Sequence, residues 1–230
     1  MVVLPSDHVV RDAKAFRVAL GAATEVAASE MIITEAVATG LASTGLQRPY
    51  GDKSGILPTP LVTLGIWPTR AETGYGYIHL GDALGEFGEF TAYNVTEFIE
   101  KPDMVRAQRF LSDGHYLWNS GIFVWRLDAI LRAFEIYMPK IAAFLSRAGS
   151  SSATDPMPSG KKEGGIRPTS SLRRLEEGSP LYEEYRKLDP ISIDYGILEK
   201  ARPIAVIPCG FGWDDVGTWP ALERIAPADD

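Results

Sequence analysis

The 230 residues carry 45% hydrophobic and 23% charged side chains, the composition of a globular chain long enough for one large domain. A net charge of -7 argues against a nucleic-acid duplex or an anionic membrane as partner, and leaves small anions, bound locally. Cys209 is the one cysteine, which rules out an internal disulfide or a cysteine metal cluster and suits a reducing, cytoplasmic setting; no run is long and apolar enough for a membrane span or a signal peptide.

Met1 to Leu4 is a short apolar run stopped by Pro5, which predicts a central strand with Asp7 at its tip. A central parallel strand needs neighbours, so the expected domain is N-terminally incomplete. Asp12 suits an N-cap for a helix to about Ser29, with Phe16, Leu20, Ala23 and Ala27 on one face. Residues 31–60 show no clean period and read as a divergent insert. Leu61 to Ile66 has strand character and empties into a turn at Trp67-Pro68-Thr69, the kind of strand end where open α/β sheets bind ligands. Gly74 and Gly76 flank Tyr75, so backbone there can approach a bulky polar group; a bulge or an edge-strand start is the plainer reading.

Residues Gly81 to Gly88 read as turn, and Phe90 to Glu100 as a strand ending at Glu100-Lys101-Pro102. Asp103 caps a helix that stops at Gly114. Trp118-Asn119-Ser120-Gly121 leads into a strand, IFVW, and Asp128 opens a helix running to Pro139, with a further helical piece from Ile141 to Arg147. Residues 149–171, rich in Ser, Gly, Pro and Lys, form an expected mobile loop inside one domain. Ser179-Pro180 starts a helix that stops near Pro190. Ser192 to Lys200 predicts a shorter helix, and Pro203 to Pro208 a buried strand.

Strands alternating with helices predict an α/β fold with a mostly parallel, Rossmann-like sheet and helices on both faces. Its strand tips gather Asp7, Gly74 to Tyr77, Glu100-Lys101, Asn119 and Asp215, groups that suit a phosphorylated sugar. Two carboxylates from distant strand ends match Mg²⁺, which takes one or two carboxylates and fills its remaining positions with phosphate oxygens and water. Taken singly, Asp7 and Asp215 also suit caps or turns, Asn119 a turn, Trp213 the core, His8 a hydrogen-bonded structural role, and Cys209 an inert buried thiol.

Six stretches taken together, LPSDH (4–8), LVTLGIWPTRAETGYGYI (61–78), FIEKP (98–102), WNSGIFVW (118–125), SIDYGILEK (192–200) and WDDVGTW (213–219), resemble the mannose-1-phosphate guanylyltransferase family in order and spacing. The resemblance covers about residues 1–30 and 61–220 and implies a nucleotide-diphospho-sugar transferase fold over one partial domain, 1–230. It also implies Mg²⁺ dependence and the reaction of GTP with mannose 1-phosphate to give GDP-mannose and pyrophosphate. By position, Asp7 and Asp215 would ligate the metal, Gly76 and Tyr77 line the sugar site, and Glu100 bind sugar hydroxyls. Lys101 would meet the sugar phosphate, and Asn119 with Gly121 complete the contacts. The family's N-terminal Gly-rich nucleotide loop has no counterpart in the sequence, so a sugar-phosphate-binding fragment or subunit stands as one alternative and a glucose-1-phosphate nucleotidyltransferase as another. A homo-oligomer is left open.

Overall fold

The computed structural model describes residues 1–29, 59–150, 178–217 and 221. In chain order these form β1 (Val2–Val3), β2 (His8–Val10), α1 (Ala13–Ala28), β3 (Leu61–Ile66), β4 (Tyr77–Phe87), β5 (Phe90–Ile99), α2 (Met104–Asp113) and β6 (Tyr116–Val124). Then follow α3 (Leu127–Tyr137), α4 (Pro139–Ser150), α5 (Pro180–Tyr185), a π-helical turn (Asp194–Leu198), β7 (Ile204–Cys209) and β8 (Trp213–Asp215). The segment expected as an insert lies outside the described residues except for its last two, Thr59 and Pro60; of the expected loop at 149–171 only Gly149 and Ser150 are described, and they end α4.

Capping chemistry sets the helix starts. The Asp12 carboxylate accepts from the backbone N–H of Lys14 and Ala15, Asp103 from Arg106, and the Ser179 hydroxyl from Tyr182, each satisfying amide donors that a first helical turn leaves bare. Gly114 ends α2 at φ 76, a left-handed conformation that costs glycine little. Pro139 opens α4, where its missing N–H costs nothing, so the sequence break expected there is a junction between two helices.

Six strands make one sheet in the order β1-β6-β3-β7-β5-β4, with β4 also pairing to β6. Helices cover both faces as expected. Alternate side chains of β3 and β7 divide the core: Val62, Leu64, Ala205 and Ile207 pack with Ala19, Ala23 and Val26 of α1 and Phe110 of α2. Leu61, Ile204 and Val206 pack with Ile130 and Ala133 of α3 and with Ile197 and Leu198. Each fully buried aliphatic contributes about 1.5–3 kcal/mol, so β3 and β7 anchor the molecule.

The α/β class holds, but the expectation of a mostly parallel sheet is corrected: β3–β7 pair in parallel, and the five other pairings in this sheet are antiparallel. The physical reason is local. The stretch read as a turn, Gly81 to Gly88, is mostly strand, and β4 returns into β5 through the two-residue turn Gly88-Glu89, which can join only antiparallel neighbours. β1 is likewise not central. Among the described residues it pairs with β6 alone and leaves Val2 and Val3 exposed.

Candidate functional site

A cleft of about 310 Å³ opens where the residues just past β5 and the stretch Asn119–Phe123 within β6 meet the loop before β4, the π-helical turn and the two-stranded ribbon of β2 and β8. The ribbon pairs His8 with Asp215 and Val10 with Trp213, and the backbone bonds Arg11 N–H to Gly212 O and Asp12 N–H to Phe211 O extend it toward α1. Chain segments at opposite ends of the sequence are thereby held side by side.

Glu100 and Lys101 leave β5 consecutively, and in extended chain their side chains would face opposite ways. Lys101 instead sits at φ 47, an uncommon conformation for a residue with a Cβ, and both side chains reach the cleft. The ammonium lies 3.2 Å from Glu100 Oε1. Burial first, and then the charge of Asp194, push the Glu100 carboxyl above the usual carboxylate range, while the hydrogen bond to Glu100 raises the Lys101 ammonium. The two directions describe one pair unequally buried. The Glu100 side chain is 11% exposed and carries the desolvation cost, whereas Lys101, at 60%, keeps its water.

Asn119 is fixed by its surroundings. Its Oδ1 accepts from the Gly121 N–H and the Thr63 hydroxyl, and its Nδ2 donates to Asp194 Oδ1 at 3.2 Å. The Gly121 amide can only donate, so the orientation of the Asn119 amide follows. Gly76 stands so near that a Cβ there would meet Glu100 Oε2 at 2.5 Å and Asn119 Cβ at 3.2 Å, which is the physical need for glycine. Gly121, at φ 68, packs against Pro5.

Asp7 and Asp215 converge on one imidazole. Asp7 Oδ1 lies 3.9 Å and Asp215 Oδ2 3.8 Å from His8 Nε2. Trp213 Nε1 donates to His8 Nδ1 at 3.0 Å, and an indole can only donate, so Nδ1 presents its lone pair and the ring proton sits on Nε2, toward the carboxylates. In that tautomer His8 is a donor and not a metal ligand. Among the described residues there is no group of three or more His, Cys, Asp or Glu able to hold a metal. A pair of carboxylates open to solvent, with side chains 63% and 30% exposed, nevertheless fits Mg²⁺, whose other positions go to water and phosphate.

The structure therefore brings Gly76, Glu100, Lys101, Asn119, Gly121 and Asp215 onto one cleft, with Asp7 at its rim beside Gly217. The expectation that Tyr77 lines it is corrected: Tyr77 is fully buried, ring against Phe110, and its hydroxyl accepts from the Glu72 N–H. Strand alternation turns it away from the face that Gly76 shows. Tyr75 lines the cleft instead, edge-on to Trp118 and Trp213, with the Arg70 guanidinium 4.9 Å from the Trp118 ring and bonded to the Tyr75 hydroxyl. Asp194 lies outside the expected set. Its signal is in SIDYG, but only a π-helical turn, closed by Glu199 N–H to Asp194 O, aims it inward, and no spacing announces such a turn. Cys209 is inert: burial pushes its thiol up to about 12.

A family model described as nucleotidyl transferase matches residues 57–230. The xanthan biosynthesis protein XanB of Xanthomonas campestris pv. campestris (strain B100) is 34% identical over 229 residues, covering 100% of this chain and 38% of the relative. Mannose-1-phosphate guanylyltransferase RfbM of Salmonella typhimurium (strain LT2) is 33% identical over 229 residues, covering 100% and 37%. The chain thus spans less than two fifths of the length of these relatives. A crystal structure described as mannose-1-phosphate geranyltransferase from Thermus thermophilus superposes with a TM-score of 0.64 at 32% identity, covering 99% of this chain and 50% of that one.

Proposed function

The chain belongs to the nucleotidyl transferase family, and from that premise we propose that it binds mannose 1-phosphate and takes part in its nucleotidyl transfer from GTP, giving GDP-mannose and pyrophosphate. The observation that carries the proposal is the cleft itself: carboxylate, amide and ammonium groups converge in it with Asp215, and Asp7 stands close by, its carboxylate 3.9 Å from the same His8 Nε2. The names of the Salmonella relatives supply the sugar and, through guanylyl, the nucleotide. A glucose 1-phosphate reading has no such support.

In this reading a phosphate oxygen of the sugar ester attacks the nucleotide α-phosphorus. A P–O bond forms, the α–β anhydride bond breaks, and pyrophosphate leaves with the electron pair, with no covalent enzyme intermediate. The protein's contribution is placement and charge. Glu100 and Asn119 hold ring hydroxyls, Gly76 and Gly121 let the ring approach the backbone, and Lys101 neutralises the sugar phosphate. Asp7 and Asp215 would hold Mg²⁺, which when bound offsets charge on the phosphate oxygens.

The test separates binding from turnover. In Asp215→Asn, GDP-mannose formation is expected to fall at least about a hundredfold while calorimetric affinity for mannose 1-phosphate stays within about threefold of the parent. Equal losses in both would make Asp215 a structural residue and remove it from the mechanism.

A further inference from the structure

Asp194 is the cleft's unassigned acidic group. It enters from the π-helical turn and lines the same cavity as Glu100, near enough for the two charges to interact. Its Oδ1 takes one proton of the Asn119 amide, whose oxygen is already committed to Gly121 and Thr63. The Ser192 side chain and the backbone N–H of Asp194 also donate to the Asp194 carboxylate, and of the about four acceptor positions of an ionised carboxylate these bonds leave at least one, while the Asn119 NH₂ has a second proton. Acceptor and donor therefore stand side by side on the wall of the cavity. A hydroxyl that both donates and accepts satisfies such a pair; a planar base or an acyl chain does not. Glu100, with Lys101 Nζ at 3.2 Å from Oε1, presents the same combination a second time.

Resting on the sugar-phosphate reading above, we propose that Asp194 is a specificity-determining residue: together with Asn119 it reads one ring hydroxyl, separate from the hydroxyl read by Glu100. Burial raises the Asp194 carboxyl, so the cleft holds two poorly solvated acids, and a polyhydroxylated ring offers each a donor beside those that Asn119, Ser192 and Lys101 already supply. Removing that hydroxyl from the ligand leaves one acceptor position of a half-buried carboxylate without its donor, which is how such sites discriminate.

The experiment is a cycle across protein and ligand. Mannose 1-phosphate and its 2-, 3- and 4-deoxy analogues are titrated calorimetrically into the parent chain and into Asp194→Asn, which can still accept from Asn119 through its amide oxygen. Asp194→Ala and thermal melts run alongside to report folding. Asp194→Asn is expected to bind mannose 1-phosphate about ten- to hundredfold more weakly, the loss of one charge-assisted hydrogen bond. Against one deoxy analogue, and one only, the variant and the parent should bind alike. The same factor lost against every ligand, or no loss at all, overturns the proposal while mannose 1-phosphate binding by the parent upholds the reading beneath it. A parent that binds no mannose 1-phosphate overturns both. Should Asp194→Asn melt far below the parent, the cycle is read on Asp194→Ala by the same criteria.

Discussion

Glu100 shows most directly what the cleft costs the fold. Its carboxyl is raised because folding strips water from it and sets Asp194 nearby, and the Lys101 ammonium recovers only part of that cost. A group whose folded pKa lies above its unfolded value adds stability at pH below the unfolded value and loses it as pH rises through the folded one. At neutral pH Glu100 is therefore a burden on the fold. Glu100→Gln should melt about 2–4 °C above the parent at pH 8, and the difference should shrink steadily as the pH is taken down toward 5, while mannose 1-phosphate binding weakens. Asp113, Asp128 and Asp189 are held low chiefly by hydrogen bonds to His115, Arg126 and Lys140, and lose stability as pH falls, but they are common to both proteins and cancel in the difference. A variant that melts below the parent at pH 8 would show that the ion pair with Lys101 outweighs burial. The sequence revealed these residue types through their motifs. It could not show that Tyr75 rather than Tyr77 faces the cleft, because that depends on which side of a short loop enters β4.

At the level of elements, local chemistry was readable and partner choice was not. The caps at Asp12, Asp103 and Ser179, and the Gly114 stop, lie in contiguous residues, and they set the helices they were expected to set, although α5 ends at Tyr185, earlier than Pro190 suggested. Glycines misled where they mark close approach instead of a turn. Gly81 lies inside β4, where a Cβ would meet Thr96 Cγ2 at 2.7 Å and Asn94 O at 3.1 Å across the hairpin. Gly65, in a stretch read as strand from the start, marks a closer approach still: in the wholly buried β3 an added Cβ would lie 2.5 Å from Leu117 Cδ1 and 2.8 Å from Val206 Cγ2, on the two flanking strands. Gly65→Ala should lower the urea midpoint with an unchanged m-value, at a cost of about 1–3 kcal/mol. An unchanged midpoint would mean that the β6–β3–β7 layer yields more easily than its packing implies.

Across the whole molecule, the cleft exists because the ribbon of β2 and β8 is a separate small sheet, tied to the larger one through the strand-end loops rather than by a shared ladder among the described residues. That arrangement was legible only as a coincidence of motifs, since nothing in LPSDH or WDDVG names the other as its partner until the register sets His8 opposite Asp215. It also has a thermodynamic consequence. A cation held by Asp7 and Asp215, as proposed, would join two chain segments that separate on unfolding, so it would bind the native state alone and stabilise it by mass action. At a cation concentration about a hundredfold over its Kd the gain is about 2.7 kcal/mol, and for a chain of this size each kcal/mol moves Tm by about 2–4 °C. Mn²⁺, used as the probe, should therefore raise the melting temperature of the parent and leave Asp215→Asn and Asp7→Asn unmoved, whereas the increment given by mannose 1-phosphate should survive in both variants. If Mn²⁺ stabilises the two variants as much as the parent, the cation binds elsewhere, and the aspartates serve only to close the ribbon around His8.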